Sequence, residues 1–147
     1  MPKLSLEIPS FFQFETTIPV RITDINYGGH LGNDAFLSLL HEARMQFLKS
    51  HGLSELDFAG IGLIMRDAGI EFKDELFYGD TVIAWVTATE FTKASFEIYY
   101  KLEKETEGKR KLVALAKTGM IGYDYSKKKI AGLPEEAVKR LSEQGRL

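Results

Sequence analysis

The run from Arg21 to Arg44, RITDINYGGHLGNDAFLSLLHEAR, constrains this chain more than any other part of it. It leaves a β-branched segment, Phe14 to Thr23, and crosses a polar loop holding Asn26, Gly28, Gly29 and Gly32. It then enters a long apolar stretch. Glycine in such a loop permits positive φ and a close approach of backbone to a ligand. Phe36, Leu39, Leu40, Ala43 and Phe47 fall within an arc of roughly 100° when stepped at 100° per residue, and Leu37 and Leu48 widen the stripe. The spacing predicts a helix from Asn33 to about Ser50, ended by His51-Gly52. Asn33 is its natural N-cap, and Asp34 sits favourably on its dipole. This order brings backbone N–H donors, a positive helix end, the Asn26 amide and the His30 imidazole into one short space. Such a space suits a carbonyl oxygen that gains negative charge.

The remainder reads as scaffold. Phe14 to Thr23 predicts a first strand, with Pro19 marking an edge or a bulge. A short helical piece is expected over Ser54 to Ala59. Four more strands follow: Leu63 to Phe72, Thr81 to Glu90, Ala94 to Glu103 and Lys111 to Tyr123. In the third of these, Phe96, Ile98, Tyr100 and Leu102 alternate with Ser95, Glu97, Tyr99 and Lys101, which predicts one buried and one wetter face. Val82 to Ala88 and Leu112 to Met120 are apolar on both faces, as expected of central strands covered by the helix on one side and another subunit on the other. Leu133 to Leu141 reads as a short C-terminal helix with Pro134 in its first turn. The expectation is an α+β fold: an antiparallel sheet of about five strands wrapped around one long central helix.

The 147 residues suit a single domain spanning 1–147. A net charge of −2 gives no basic field that would argue for nucleic acid. The absence of cysteine removes disulfides, a thiol nucleophile and thiolate metal sites, and it fits the cytoplasm. The N-terminal residues do not read as a signal peptide. No window approaches the roughly 18 apolar residues of a membrane span.

Asp24-Ile-Asn-Tyr-Gly-Gly-His-Leu-Gly-Asn33, with Phe36 and Glu42-Ala-Arg44 on the helix, resembles the signature of hotdog-fold thioesterases of the 4-hydroxybenzoyl-CoA thioesterase type. Ile70-Glu-Phe and Tyr78-Gly-Asp-Thr-Val82 resemble the family's second landmark, and the resemblance spans about residues 14 to 141. It implies a hydrolase of acyl-CoA or acyl-carrier thioesters with a hotdog fold. It also implies a homodimer or homotetramer, a site between one subunit's helix start and its partner's sheet, and no metal or cofactor beyond the coenzyme A of the substrate. The family's usual catalytic carboxylate falls at Asn26, and an amide is no general base near neutral pH.

Candidate catalytic residues are therefore Asn26, His30, Asn33, Asp24 and Glu42. Asn26 would orient water or bind the carbonyl, and His30, a residue type that titrates near neutrality, would be a base. The backbone N–H groups at Asn33 would form the oxyanion site. Asp24 is either a base or a turn-holding carboxylate, the second being favoured. Glu42 is a cross-interface carboxylate or, more plainly, pairs with Arg44 or with a basic residue of a partner subunit. Tyr27, Gly28, Gly29 and Arg66 are candidates for substrate contact, with snorkelling or a salt bridge as the plainer reading of Arg66 and of Lys117. Two rival functions remain open: an acyl-thioester binding protein without catalysis, and a hydratase. The pattern Asp24-x-Asn26 with His30 resembles the hydratase motif poorly, lacking its proline and its histidine spacing.

Overall fold

The computed structural model describes residues 5–142. In chain order the elements are β1 (Phe14–Pro19), a single 3-10 turn (Ile22–Asp24), α1 (Asn33–Lys49), β2 (Gly62–Phe72), β3 (Thr81–Thr89), β4 (Ser95–Thr106), β5 (Lys109–Asp124), β6 (Lys129–Ile130) and α2 (Glu135–Ser142). All strand pairs are antiparallel, in the order β1-β3-β4-β5-β2, and the two-residue β6 pairs with the end of β5. β1 and β2 are therefore the edges, which is where Pro19 does no harm to the ladder.

The apolar stripe of α1 lies against the inner face of this sheet. Phe36, Leu39, Leu40, Ala43, Phe47 and Leu48 are buried in one cluster with Val82, Val86, Phe96, Ile98, Leu102 and Ala116. Burying a side chain such as Phe47 or Leu40 contributes about 2–3 kcal/mol, so the helix is held chiefly by this contact. Leu37 departs from the expected stripe and is exposed. The helix ends in a Schellman arrangement: Leu53 N–H donates to Leu48 O (2.9 Å) and Gly52 N–H to Lys49 O (2.9 Å). Gly52 has φ +72°, a conformation open to glycine without cost.

Several expectations need correcting. Asn33 is the first helical residue and not the cap; Gly32 holds the cap position (φ −72°, ψ 155°), and no side chain among the described residues caps the helix. Ser54 to Ala59 is not helical. Ser54 and Asp57 bond to local backbone instead: Asp57 N–H donates to Ser54 Oγ (3.0 Å) and Gly60 N–H to Asp57 Oδ1 (3.0 Å). Such bonds offer the chain an alternative to the helix. Phe58 then plugs the core and stacks on Phe96 at 5.6 Å. The first strand stops at Pro19, because Asp24 turns the chain by accepting the Arg21 N–H (2.8 Å).

The outer face of β4 is the wetter one, with Ser95 and Lys101 half-buried, but it is largely covered. Glu97 and Tyr99 are buried along with the inner-face residues, as are Ile83 and Thr87 of β3. Part of the cover expected from a second subunit comes from the chain's own N-terminal segment. Leu6 N–H donates to Glu71 Oε1 of β2 (3.2 Å), and Lys101 Nζ of β4 lies 5.5 Å from the Phe12 ring. Ala88 N–H in β3 donates to Gln13 Oε1 (3.1 Å).

Candidate active site

Because Gly32 brings no capping side chain, the first N–H groups of α1 stay open. The ladder begins at Gly32 O, which accepts from Ala35 N–H (3.0 Å) and Phe36 N–H (3.3 Å). The N–H groups of Asn33 and Asp34 have no acceptor among the described residues, and both residues are exposed. Two open donors at the positive end of a 17-residue helix form an anion-favouring site.

The loop before the helix folds back upon that end. Asn26 N–H donates to His30 O (3.0 Å) and Gly29 N–H to Asn26 O (3.1 Å), closing a tight turn in which Gly29 has φ +87°. Asn26 Oδ1 accepts the Gly28 N–H (2.8 Å), an Asx turn that commits the oxygen and leaves Nδ2 without an acceptor among the described residues. A Cβ placed on Gly32 would stand 3.8 Å from that Nδ2 and 2.8 Å from Asp34 Oδ1. A Cβ placed on Gly28 would stand 3.6 Å from His30 Nε2 and 3.2 Å from Asn26 Oδ1. The amide, the imidazole and the helix start therefore share one exposed corner, and the glycines keep it open.

His30 Nδ1 lies 3.3 Å from Leu31 O. A carbonyl can only accept, so the bond requires a proton on Nδ1, and the neutral ring in this arrangement carries its lone pair on Nε2. Asp24 plays a different part. Its Oδ2 accepts from the Arg21 N–H (2.8 Å) and Nε (3.4 Å), and its Oδ1 from Nη2 (3.2 Å). Burial pushes this carboxyl up, but the Arg21 hydrogen bonds and charge outweigh it and hold it below the ordinary carboxylate range. A carboxylate so engaged is a poor base, and these contacts are those of a residue that holds the turn.

Glu42 does not pair with Arg44. It accepts from Gln46 Nε2 (2.8 Å) and lines a groove of about 410 Å³ beside β1 with Asp24 and Arg21. Arg44 is buried instead, with Nε on Glu55 Oε1 (2.6 Å) and Nη1 on Tyr100 OH (3.1 Å). Burial works against its charge, but Tyr100 and Glu55 more than compensate, so its pKa is raised. Of the substrate-contact candidates, Tyr27, Gly28 and Gly29 are exposed on the loop beside the helix start. Arg66 is elsewhere: it pairs with Asp67 (3.1 Å) and with Glu97 (3.2 Å), on the sheet face that points away from α1. Lys117 joins the same cluster at 3.4 Å from Glu97. Asp34, read from sequence only as a dipole partner, supplies a carboxylate at the corner that accepts no hydrogen bond from the described residues. Its signal was its place in the helix's first turn.

The family model described as the thioesterase-like superfamily matches residues 20–141. The chain belongs to this superfamily. A 1,4-dihydroxy-2-naphthoyl-CoA hydrolase of Crocosphaera subtropica is 31% identical over 102 residues, which is 67% of this chain and 74% of that one. The 1,4-dihydroxy-2-naphthoyl-CoA thioesterase from Synechocystis matches in structure with a TM-score of 0.79 at 23% identity, covering 88% of this chain and 96% of that one. The 4-hydroxybenzoyl-CoA thioesterase of Pseudomonas sp. strain CBS-3 gives 0.78 at 16% identity, covering 88% and 99%. At these identities the two structures establish the fold, and the sheet around α1 is the hotdog arrangement of this thioesterase superfamily.

Proposed function

We propose that the chain hydrolyses an acyl-CoA thioester to the free acid and coenzyme A, using the corner formed by Asn26, His30 and the start of α1. The observation that carries this reading is the helix start, where the Asn33 and Asp34 N–H groups meet no acceptor among the described residues and the His30 imidazole lies on the adjoining loop with Nδ1 on Leu31 O. Superfamily membership and the 31% identical CoA-thioester hydrolase support the reaction class.

In this scheme the thioester carbonyl oxygen sits on the Asn33 and Asp34 N–H groups, which stabilise the negative charge as it develops. Asn26 Nδ2 donates to the attacking water and orients it. His30 Nε2 takes the water proton as the oxygen bonds to the carbonyl carbon. Collapse of the tetrahedral intermediate breaks the C–S bond, and the imidazolium returns its proton to the departing thiolate. Coenzyme A enters as part of the substrate.

The same proposal holds the chain to be one domain over 1–147 that works as a homodimer or homotetramer in the cytoplasm. The exposed Leu37 and Met65, which line a groove of about 240 Å³ beside the edge strand β2, support a subunit contact there. The test is steady-state hydrolysis of alkyl- and aryl-CoA esters, read with a thiol-trapping dye. Turnover that is lost in His30→Gln supports the assignment; no turnover across the panel rejects it in favour of a binding protein.

A further inference from the structure

The connection between β2 and β3, Lys73 to Asp80, holds both ends of the active-site loop. Val20 N–H donates to Asp80 O (2.9 Å), and Leu31 N–H donates to Leu76 O (2.7 Å). These two bonds bracket the segment that carries Asp24, Asn26 and His30. Among the described residues the connection forms no ladder of its own, and its start is tied to β5. Val113 O accepts the N–H groups of Lys73 (2.8 Å) and Asp74 (3.1 Å), and Asp80 Oδ2 accepts the Phe77 N–H (2.9 Å).

Leu76 is buried in the core, and the polar side of the connection is gathered by Lys104. This lysine follows Tyr100 and Leu102 on the helix-facing side of β4 and is 9% exposed, where an ammonium is costly unless paired. Its Nζ donates to Glu75 O (2.7 Å), faces the carboxylates of Asp74 (3.7 Å) and Asp80 (4.0 Å), and lies 5.5 Å from the Phe77 ring centroid. One cation thus gathers Asp74, Glu75, Phe77 and Asp80, and these flank the two carbonyls on which the site loop rests. Lys111 adds a second contact to Asp74 at 3.0 Å.

We infer that Lys104 is a positioning residue for the active site: by clamping the 73–80 connection it fixes the Leu76 and Asp80 carbonyls, and through them the placement of Asn26 and His30 against the start of α1. An apolar side chain of similar reach fills the space but leaves the Glu75 carbonyl without its donor and frees the connection to shift. The inference rests on the proposed thioesterase site, and a shift of about 1 Å in such a site is enough to cost a hundredfold in rate.

The test compares Lys104→Met and Lys104→Arg in the full chain by site-resolved amide exchange and by acyl-CoA hydrolysis. Lys104→Met is expected to speed exchange at Val20 and Leu31 by about tenfold or more while the β4 and β5 amides keep their protection. It is also expected to lower kcat by about ten- to a hundredfold with KM held within about threefold, and Lys104→Arg is expected to restore most of both. Should Lys104→Met not fold, Asp74→Asn reads the same two amides and is expected to speed them in the same direction. Unchanged exchange at Val20 and Leu31, or a uniform rise across the whole sheet, overturns the inference. The exchange result decides it even if the wild-type chain hydrolyses no thioester, because that failure bears on the reaction and not on the clamp.

Discussion

The Arg44 guanidinium and the Tyr100 hydroxyl meet 3.1 Å apart between α1 and the inner face of β4. Thr118 Oγ1 lies 2.7 Å from the same hydroxyl, and Glu55 Oε1 is 2.6 Å from Arg44 Nε. A buried cation is tolerable here because each polar group in the chain of contacts has a partner. Burial also pushes the Tyr100 phenol above its ordinary range, the nearby Arg44 charge working against that rise.

Removing the hydroxyl should therefore cost stability. Tyr100→Phe leaves Arg44 Nη1 and Thr118 short of a buried partner, and the expected loss is about 1–3 kcal/mol. For a domain of this size that lowers Tm by about 3–10 °C. Thermal melts followed by circular dichroism read it directly; a Tm within about 1 °C of wild type would contradict the account of this network.

Asp24 predicts an acid-limited increment of stability. Its folded pKa lies below the unfolded carboxylate value of about 4, so its contribution is complete above that value and fades as pH falls through the folded one. Arg21 is largely exposed, which limits the increment to about 1 kcal/mol or less. Asp24→Asn should melt slightly below wild type at pH 7, and the gap should narrow as pH falls below the ordinary carboxylate range. A gap that widens on acidification would reverse the sign and sink the assignment.

Asn26 separates hydrolysis from mere binding. If its amide orients the attacking water, Asn26→Asp removes the donor, sets a negative charge beside the developing oxyanion, and lowers kcat by about tenfold or more. A rise in kcat would instead mean that the chain has lost its catalytic acid, and would favour the binding-protein reading.

The proposed scheme assigns the water proton to His30, and Asp34 is the rival carboxylate at the same corner, so their variants should differ. His30→Gln is expected to lower kcat by about 10²- to 10⁴-fold with little change in KM, and Asp34→Asn by less than about tenfold. The reverse order, measured on the same acyl-CoA ester, would move the base to Asp34.

How much of this was legible beforehand follows from the range of the forces involved. The stripe of α1 and the five main strands are local periodicities, and they were readable to within a few residues. Arg44 was assigned to its neighbour Glu42 because both lie on one helix; its partners are Glu55, beyond the helix end, and Tyr100 on a strand, which no spacing rule connects. Asn33 looked like a cap by residue type, yet the backbone turns one residue earlier, at Gly32, and that shift is what leaves the helix start open. Ser54 to Ala59 failed because Ser and Asp side chains satisfy a turn as readily as they open a helix. Lys104 gave no signal at all in a charge-rich stretch, since its value comes from a connection brought to it by the sheet register. The nearness of Asn26 to the helix start, and of His30 to Asn26, was legible because loop and helix are contiguous in the chain.

The most direct measurement is the structure of the protein with a non-hydrolysable acyl-CoA analogue. The account predicts the carbonyl-equivalent oxygen about 3 Å from the Asn33 or Asp34 N–H, with His30 Nε2 facing the thioester carbon through one water. A ligand whose acyl carbon lies away from the start of α1, with the Asn26 and His30 side chains turned out of reach, would contradict it.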